Sequence, residues 1–548
     1  MADLVILNGK LITFNGSDAE ALAIKDGVIT AVGTTAEIRE IAGNARVIDA
    51  QGATVLPGFI DSHVHLFQGS AELDYLDLYG VSGVEGIADA VRAYAAAHPD
   101  DKLLFGCAID YQALGDRSIT RHDLDAACPD RAFAAMTSDH HSVYANTKAL
   151  EMADLLYGKE VDEGSEVVMG TDGTATGELL EAAAFGPVMA CTKLGGRELL
   201  GMVTGANPVP TPSAQERAID KSVIAKGLEH CASHGITSLH NMDGNFYQLE
   251  LLSELEADGR LLCRTEVPMH LKHTDSVDRL TEAAEMRRAY SGDNVWCGRV
   301  KMFMDGVIDS KTAYMLQPYP GTDSCSAPLF SDAHFKEASI RADAMGLQIA
   351  VHAIGDAAVR QTLDGFEAAR NANGVRDSRH RIEHIETIHP DDIDRIASLG
   401  AVASIQPLHS PRGGYFTPYE ADDVIHAWQI EHTFAWQTIR QTGAPVIFST
   451  DWPVVPVDVM LTVQGAVAGV ELPDIWPDQR QGLQETLKSY TCDNAWVEFN
   501  ENRKGKLAAG MMADIVVMDN DLESVPATEL AKTRAAVTIC GGRITYQA

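Results

Sequence analysis

Two histidines separated by one residue, His63 and His65 in Asp61-Ser62-His63-Val64-His65, follow the apolar run Val55 to Ile60. Alternate residues of a strand point to the same side, so both imidazoles can reach one point and ligate one metal ion. Such a pair alone reads more readily as two histidines hydrogen-bonded at a loop. Further residues of ligand type end apolar runs much later in the chain: His352 in Ala350-Val351-His352-Ala353-Ile354-Gly355-Asp356, His384 in Arg381-Ile382-Glu383-His384, and Asp451 in Ser449-Thr450-Asp451. Imidazole and carboxylate hold zinc or similar ions while leaving positions open for water. Each residue singly is also what a satisfied core histidine or a capping aspartate looks like. Their common place at the ends of apolar runs favours a shared metal site.

Lys301 lies inside the apolar run Val300, Met302, Phe303, Met304. A buried ammonium is costly unless it is paired or chemically changed. One outcome is an ion pair with Asp305 or Asp309. The other is a lowered pKa and reaction of the neutral amine with carbon dioxide, giving a carbamate whose oxygens could bridge two metals.

These residues need elements to hold them. Short apolar runs alternate with helical patterns: strand Leu347 to His352 is followed by a helix with Val359, Leu363 and Phe366 on one face, stopping near Asn373-Gly374. Strand Arg381 to His384, helix Asp391 to Leu399, strand Ala401 to Gln406, helix Thr433 to Gln441 and strand Pro445 to Ser449 follow. With Thr54 to Ile60, Gly235 to Asn241, Leu261 to Met269 and Arg299 to Phe303, eight such strands can be counted. Repeated βα units argue for an α/β fold with a parallel sheet, and eight of them for a TIM (β/α)8 barrel. The stretch from about 68 to 230 is far longer than a βα connection needs. It reads as an insertion after the first strand, at the C-terminal face where such barrels keep their active sites.

Residues 3 to 55 instead show short β-rich runs with Asn8-Gly9 and Asp26-Gly27 turns, and the style returns at Ile515 to Met518, Ala536 to Cys540 and Arg543 to Tyr546. Neither end has enough strands to stand alone, so the two should make one β domain, 1–56 with 503–548, flanking a hydrolase barrel over 57–502.

The 548 residues carry a formal charge of −35, with 45% hydrophobic and 22% charged residues. That is an ordinary globular composition, and the acidic field argues against nucleic acid and anionic membranes as partners. Nine scattered cysteines, never C-x-x-C, read as reduced thiols. There is no basic leader region and no apolar run near the ~20 residues of a membrane span, so a cytoplasmic location is expected.

Taken in series, Asp61-Ser62-His63-Val64-His65, Lys301-Met302-Phe303-Met304-Asp305-Gly306, His352-Ala353-Ile354-Gly355-Asp356, Arg381-Ile382-Glu383-His384 and Thr450-Asp451-Trp452-Pro453 resemble the YtcJ-like branch of the amidohydrolase superfamily, amidohydrolase family 3. Ser138-Asp139-His140-His141 with Asn146, Thr176-Gly177-Glu178, and Gly505-Lys506-Leu507 through Ala513-Asp514 extend the likeness over nearly the whole chain.

The resemblance implies a distorted TIM barrel with a composite β-sandwich, and His63, His65, Lys301, His352, His384 and Asp451 as ligands to one or two divalent metals, zinc foremost. It also implies a homodimer, and hydrolysis of a C–N bond, amide or formamide, in a small organic substrate. Metal would bring the pKa of water from about 15.7 toward ~7, and Asp451 would take the water's proton and pass it to the departing amine. His141 is a candidate for oxyanion stabilisation, and His409 and Trp452 for lining the pocket under a lid at 407–416. A cyclic amide, carbamate or ester substrate on the same site, and a metal-free scaffold without activity, are the competing readings.

Overall fold

The computed structural model describes residues 2–161 and 165–548. Met1, where the expected β domain starts, and residues 162–164 of the expected insertion lie outside the described residues. The chain separates into two compact units, residues 1–65 with 228–548, and residues 66–227.

In the first unit the candidate site residues sit on two parallel ladders. One has the order Val295–Trp296, Arg264–Glu266, Ile236–Asn241, Phe59–Val64. The other runs Met269–His270, Arg299–Phe303, Gln348–Ala353, Arg381–His384, Val402–Ile405, Val446–Phe448. Parallel strands are covered on both faces, which is why they read as unbroken apolar runs. Where the run count pointed to one continuous barrel, hydrogen bonding gives these two ladders. The third run is the cause: it splits into Arg264–Glu266 and Met269–His270 around Pro268, which has no N–H to continue a ladder. At the other side Val64 and Trp452 form an isolated parallel bridge, so the last strand's continuation lies beside the first.

The first run also divides. Thr54–Pro57 pairs antiparallel with Ile515–Met518 in a five-stranded sheet built from both chain ends, in the order Lys10–Leu11, Thr54–Pro57, Ile515–Met518, Ala535–Cys540, Arg543–Gln547. Gly58 still donates to the Asp514 carbonyl at 2.9 Å, and Phe59 is the first residue to donate to Gly235, at 3.0 Å. The chain changes sheets at Gly58. The other N-terminal strands form their own four-stranded sheet, Val28–Gly33, Ala21–Lys25, Leu4–Leu7, Arg46–Asp49. One buried apolar cluster, including Ile6, Leu22, Val55, Ile515 and Ile539, takes side chains from both sheets.

The helices obey local rules. Pro390–Leu399 starts with proline in its first turn and stops at Gly400, whose φ of 68° closes a left-handed cap. Asp356–Asn373 buries Val359, Leu363 and Phe366 together.

The second unit is built on a mixed six-stranded sheet, Glu166–Met169, Ala175–Leu180, Ser142–Ala145, Ala132–Thr137, Leu103–Ile109, Leu76–Asp77. Apolar clusters around Ala134, Leu150 and Leu179, and around Leu104, Leu124 and Phe133, form its core. Among the described residues no helix is long and apolar enough to cross a membrane.

A Cβ at position 58 would lie 2.2 Å from Thr237 Cγ2 and 2.4 Å from its Oγ1. Gly58→Ala is therefore expected to cost about 1–3 kcal/mol, read as a lowered melting temperature. A melting temperature equal to wild type would show that the sheet switch does not need glycine.

Candidate metal centre

His63 occupies the end of strand Phe59–Val64, and backbone bonds fix it against the segment after Val446–Phe448. Asp451 N–H donates to the His63 carbonyl at 2.9 Å and His65 N–H to the Trp452 carbonyl at 2.8 Å. Asp61, two residues before His63, accepts from the Thr450 hydroxyl at 2.5 Å and its N–H at 3.1 Å. The result places the Asp451 carboxylate between two imidazoles: Oδ1 is 3.3 Å from His63 Nε2 and 3.2 Å from His65 Nε2.

His63, His384 and Asp451, all buried, offer ligand atoms lying within 4.8 Å of one another. The His352 ring is 4.5 Å from that of His384, and His384 is 4.9 Å from His63, between ring centroids. His352 Nε2 is 3.2 Å from the Gly306 carbonyl. Among the described residues, His63 Nε2, Asp451 Oδ1 and Lys301 Nζ are buried without a hydrogen-bond partner. Buried polar atoms are rarely left so, and these point to a group that would satisfy them. A divalent cation fits this donor set of imidazole and carboxylate.

The other side of each ring is held. Burial alone would raise the Glu383 carboxyl, but Arg381 and His63 keep it well below the usual range. As a carboxylate it only accepts, so His63 Nδ1 donates to it at 2.8 Å and the Nε2 lone pair is left facing Asp451. Asp243 lies 2.6 Å from His65 Nδ1, and Gln406 Oε1 2.9 Å from His384 Nδ1. These are the partners expected behind metal-binding histidines.

Titration follows from burial. Burial and Lys301 press His63 down to about 4 and His352 to about 3, so both are neutral with a lone pair to give. Burial would also lower His65, but Asp243 and Asp451 outweigh it and raise it to about 10. A metal there would displace that proton. Burial is opposed at Asp451 by His63, His65 and His384, which hold it well below the carboxylate range.

Lys301 makes no ion pair with Asp305 or Asp309 among the described residues. Asp305 is occupied by the N–H groups of Tyr314, Ile354 and Gly355 at 2.8–3.0 Å, and Asp309 accepts from Tyr419 at 3.5 Å. The fully buried Nζ sits 4.6 Å above the Phe303 ring, and burial lowers it to about 8 despite Glu383 and Asp451.

His384 and Asp451 adopt φ of 77° and 66°, in the left-handed region. Non-glycine residues there cost about 1–3 kcal/mol each and persist where the surroundings impose them, typically at functional sites.

Of the residues expected around the substrate, His409 stands nearest. Its Nε2 is 3.6 Å from Asp451 Oδ2, and its ring is parallel to that of His384 at 5.8 Å. Phe416 meets it edge-on at 5.9 Å, while Arg412 in the same loop donates to the carbonyls of Val470 and Pro477. The Trp452 indole is buried 5.7 Å from the His230 ring. His141 belongs to the unit 66–227, where its Nδ1 lies 2.9 Å from Glu181 Oε1.

Sequence reading missed Asp243, Glu383 and Gln406 as partners of the rings. Arg-x-Glu at 381 and 383 was the available signal, since alternate residues of a fully buried strand share a face. Asp243 follows the strand Ile236–Asn241 by two residues and carries no comparable mark.

The sequence model of the Amidohydrolase family matches residues 46–546, and the chain belongs to that family. It is 26% identical to the YtcJ protein of Bacillus subtilis (strain 168), over 97% of both chains. It is 24% identical to the N-substituted formamide deformylase of Arthrobacter pascens, over 100% of this chain and 99% of that one. The crystal structure of an uncharacterized metal-dependent hydrolase from Pyrococcus furiosus superposes with a TM-score of 0.70 at 26% identity, covering 94% of this chain and 98% of the other.

Asp243→Ala leaves His65 Nδ1 without its acceptor. Metal affinity should fall about 10–100-fold, measured by competition with a chromophoric chelator; unchanged affinity would remove Asp243 as the support of a ligand.

Proposed function

We propose that this chain is a metal-dependent hydrolase that cleaves a C–N bond, amide or formamide in type, in a small organic substrate. The observation that carries the proposal is the buried cluster of His63, His384 and Asp451, with ligand atoms within 4.8 Å of one another and unsatisfied lone pairs on His63 Nε2 and Asp451 Oδ1. His65, His352 and Lys301 complete a set of six ligands for one or two cations, of which zinc suits imidazole and carboxylate donors. The 24% identity to an N-substituted formamide deformylase over full length supports the bond type. The two parallel ladders, bridged at Val64 and Trp452, support a distorted TIM barrel, and the sheets at the chain ends a composite sandwich.

A bound divalent cation supplies Lewis acidity, making water acidic near neutral pH and polarising the scissile carbonyl. Asp451 accepts the proton of the attacking water on a carboxylate oxygen and returns it to the amine nitrogen as the C–N bond breaks. Oδ1 of that carboxylate faces His63 Nε2 and His65 Nε2 at 3.3 and 3.2 Å, and Oδ2 faces His409 Nε2 at 3.6 Å. Glu383 keeps the His63 proton on Nδ1 throughout. The neutral fraction of Lys301, whose pKa burial lowers to about 8, would add carbon dioxide, an N–C bond forming as one N–H proton passes to water, and the resulting carbamate would offer oxygen donors.

Protein purified without chelator should carry at least half an equivalent of metal, and dialysis against chelator should abolish turnover until metal is restored. A panel of formanilides, N-acyl amines, lactams and aryl esters tests the bond; turnover confined to esters would overturn the C–N assignment. Asp451→Asn should lower kcat about 10²–10⁴-fold with the fold intact by circular dichroism, and an unchanged rate would remove Asp451 as proton carrier.

A further inference from the structure

Beneath the candidate centre a line of buried charged and polar side chains continues away from it. Arg381, fully buried, donates from Nε and Nη2 to the two oxygens of Glu383 at 2.7 and 2.8 Å, and from Nη2 also to the Ser62 carbonyl at 2.7 Å and Ser404 Oγ at 2.9 Å. Its remaining nitrogen, Nη1, lies 3.0 Å from His240 Nδ1. His240 Nε2 is 3.0 Å from Glu498 Oε2, and the other oxygen of Glu498 is 2.7 Å from Lys504 Nζ. His240 and Glu498 have no exposed side-chain surface.

Every bond in this line has a forced direction. A guanidinium has no acceptor, so His240 Nδ1 must receive from Arg381. Burial and the neighbouring Arg299 hold the imidazole well below its ordinary pKa, so it is neutral and its single proton sits on Nε2, directed at Glu498. Lys504, whose Nζ donates to Ser238 Oγ, places its positive charge beside Glu498, which accepts from His240. Between Glu498 and His63 each direction is therefore fixed: His240 donates to Glu498, Arg381 donates to His240 and to Glu383, and His63 Nδ1 donates to Glu383.

We propose that His240 is a positioning residue for the metal centre: by holding the one Arg381 nitrogen that Glu383, Ser62 and Ser404 do not use, it fixes the Arg381–Glu383 pair that presents the Nε2 lone pair of His63. The inference rests on the reading of His63 as a metal ligand. A histidine serving only to fill the core would be replaceable by an apolar residue of its size. One serving to orient the guanidinium is replaceable only by a residue with both an acceptor and a donor.

Zinc affinity, measured by chelator competition, and the melting temperature of the metal-free protein separate these roles in His240→Leu and His240→Gln. We expect His240→Leu to bind zinc about 10–100-fold more weakly than wild type. His240→Gln, which keeps one acceptor and one donor, should recover most of that loss at a melting temperature no higher than that of His240→Leu. Zinc affinity unchanged in His240→Leu, or lowered equally in both variants, overturns the proposal. If His240→Leu does not fold, Glu498→Gln carries the test: it removes the charge that holds the His240 Nε2 proton, and wild-type zinc affinity in that variant overturns the proposal equally. Wild-type protein that binds no zinc overturns the metal-centre reading and this inference with it, whereas zinc binding that none of these variants weakens overturns this inference alone.

Discussion

A guanidinium cannot be buried cheaply, and Arg381 is buried completely. Taking such an ion out of water costs several kcal/mol even after relaxation, so its donors must all find acceptors. They find them on four different strands or their ends: Ser62 on the first, His240 on the second, Glu383 on its own and Ser404 on the next. Satisfying one side chain therefore sets the relative positions of the strands that carry His63, His384 and the segment before His409. Removing one partner of such a buried pair typically costs about 3–5 kcal/mol, which makes the arrangement steep around its minimum. A centre that must hold several rings within a few tenths of an ångström needs that steepness.

The ends of the first and last parallel strands add the second constraint. Asp61 ties to Thr450, and the backbone of Asp451 to that of His63. Asp451 pays for this by adopting φ of 66°, as His384 does with 77°. Relaxing either residue to ordinary β geometry would rotate its side chain away from the shared point. Strain and hydrogen bonding are therefore two aspects of one placement, with the strained residues at the site and the relaxed zipper just behind it.

Much of this was legible from residue types alone. Most of the parallel strands were marked by unbroken apolar runs, because strands covered on both faces carry no alternating pattern, and His63, His352, His384 and Asp451 stood out because each fell at the end of an expected strand. What was not legible has physical causes. The sheet switch at Gly58 is decided by Thr237, 179 residues away, and no local pattern records that contact. The split of the third run at Pro268 was written in the sequence, as a residue without an N–H, yet the apolar flanks concealed it. Asp243 is one of the chain's 78 acidic residues and could not be told from the rest, because its role comes from a strand that ends beside His65. The choice between an ion pair and a free amine at Lys301 likewise depended on where Asp305 and Asp309 spend their oxygens.

That last distinction bears on charge balance at the centre. Without a carbamate on Lys301, Asp451 is the one anionic member among the six proposed ligands. Glu383 does not change this, since Arg381 already matches it. A second cation would add two more positive charges in a buried space, which the carbamate proposed at Lys301 would offset in part. The unpartnered Nζ, lowered to about 8 by burial, is the form of lysine on which that chemistry can begin.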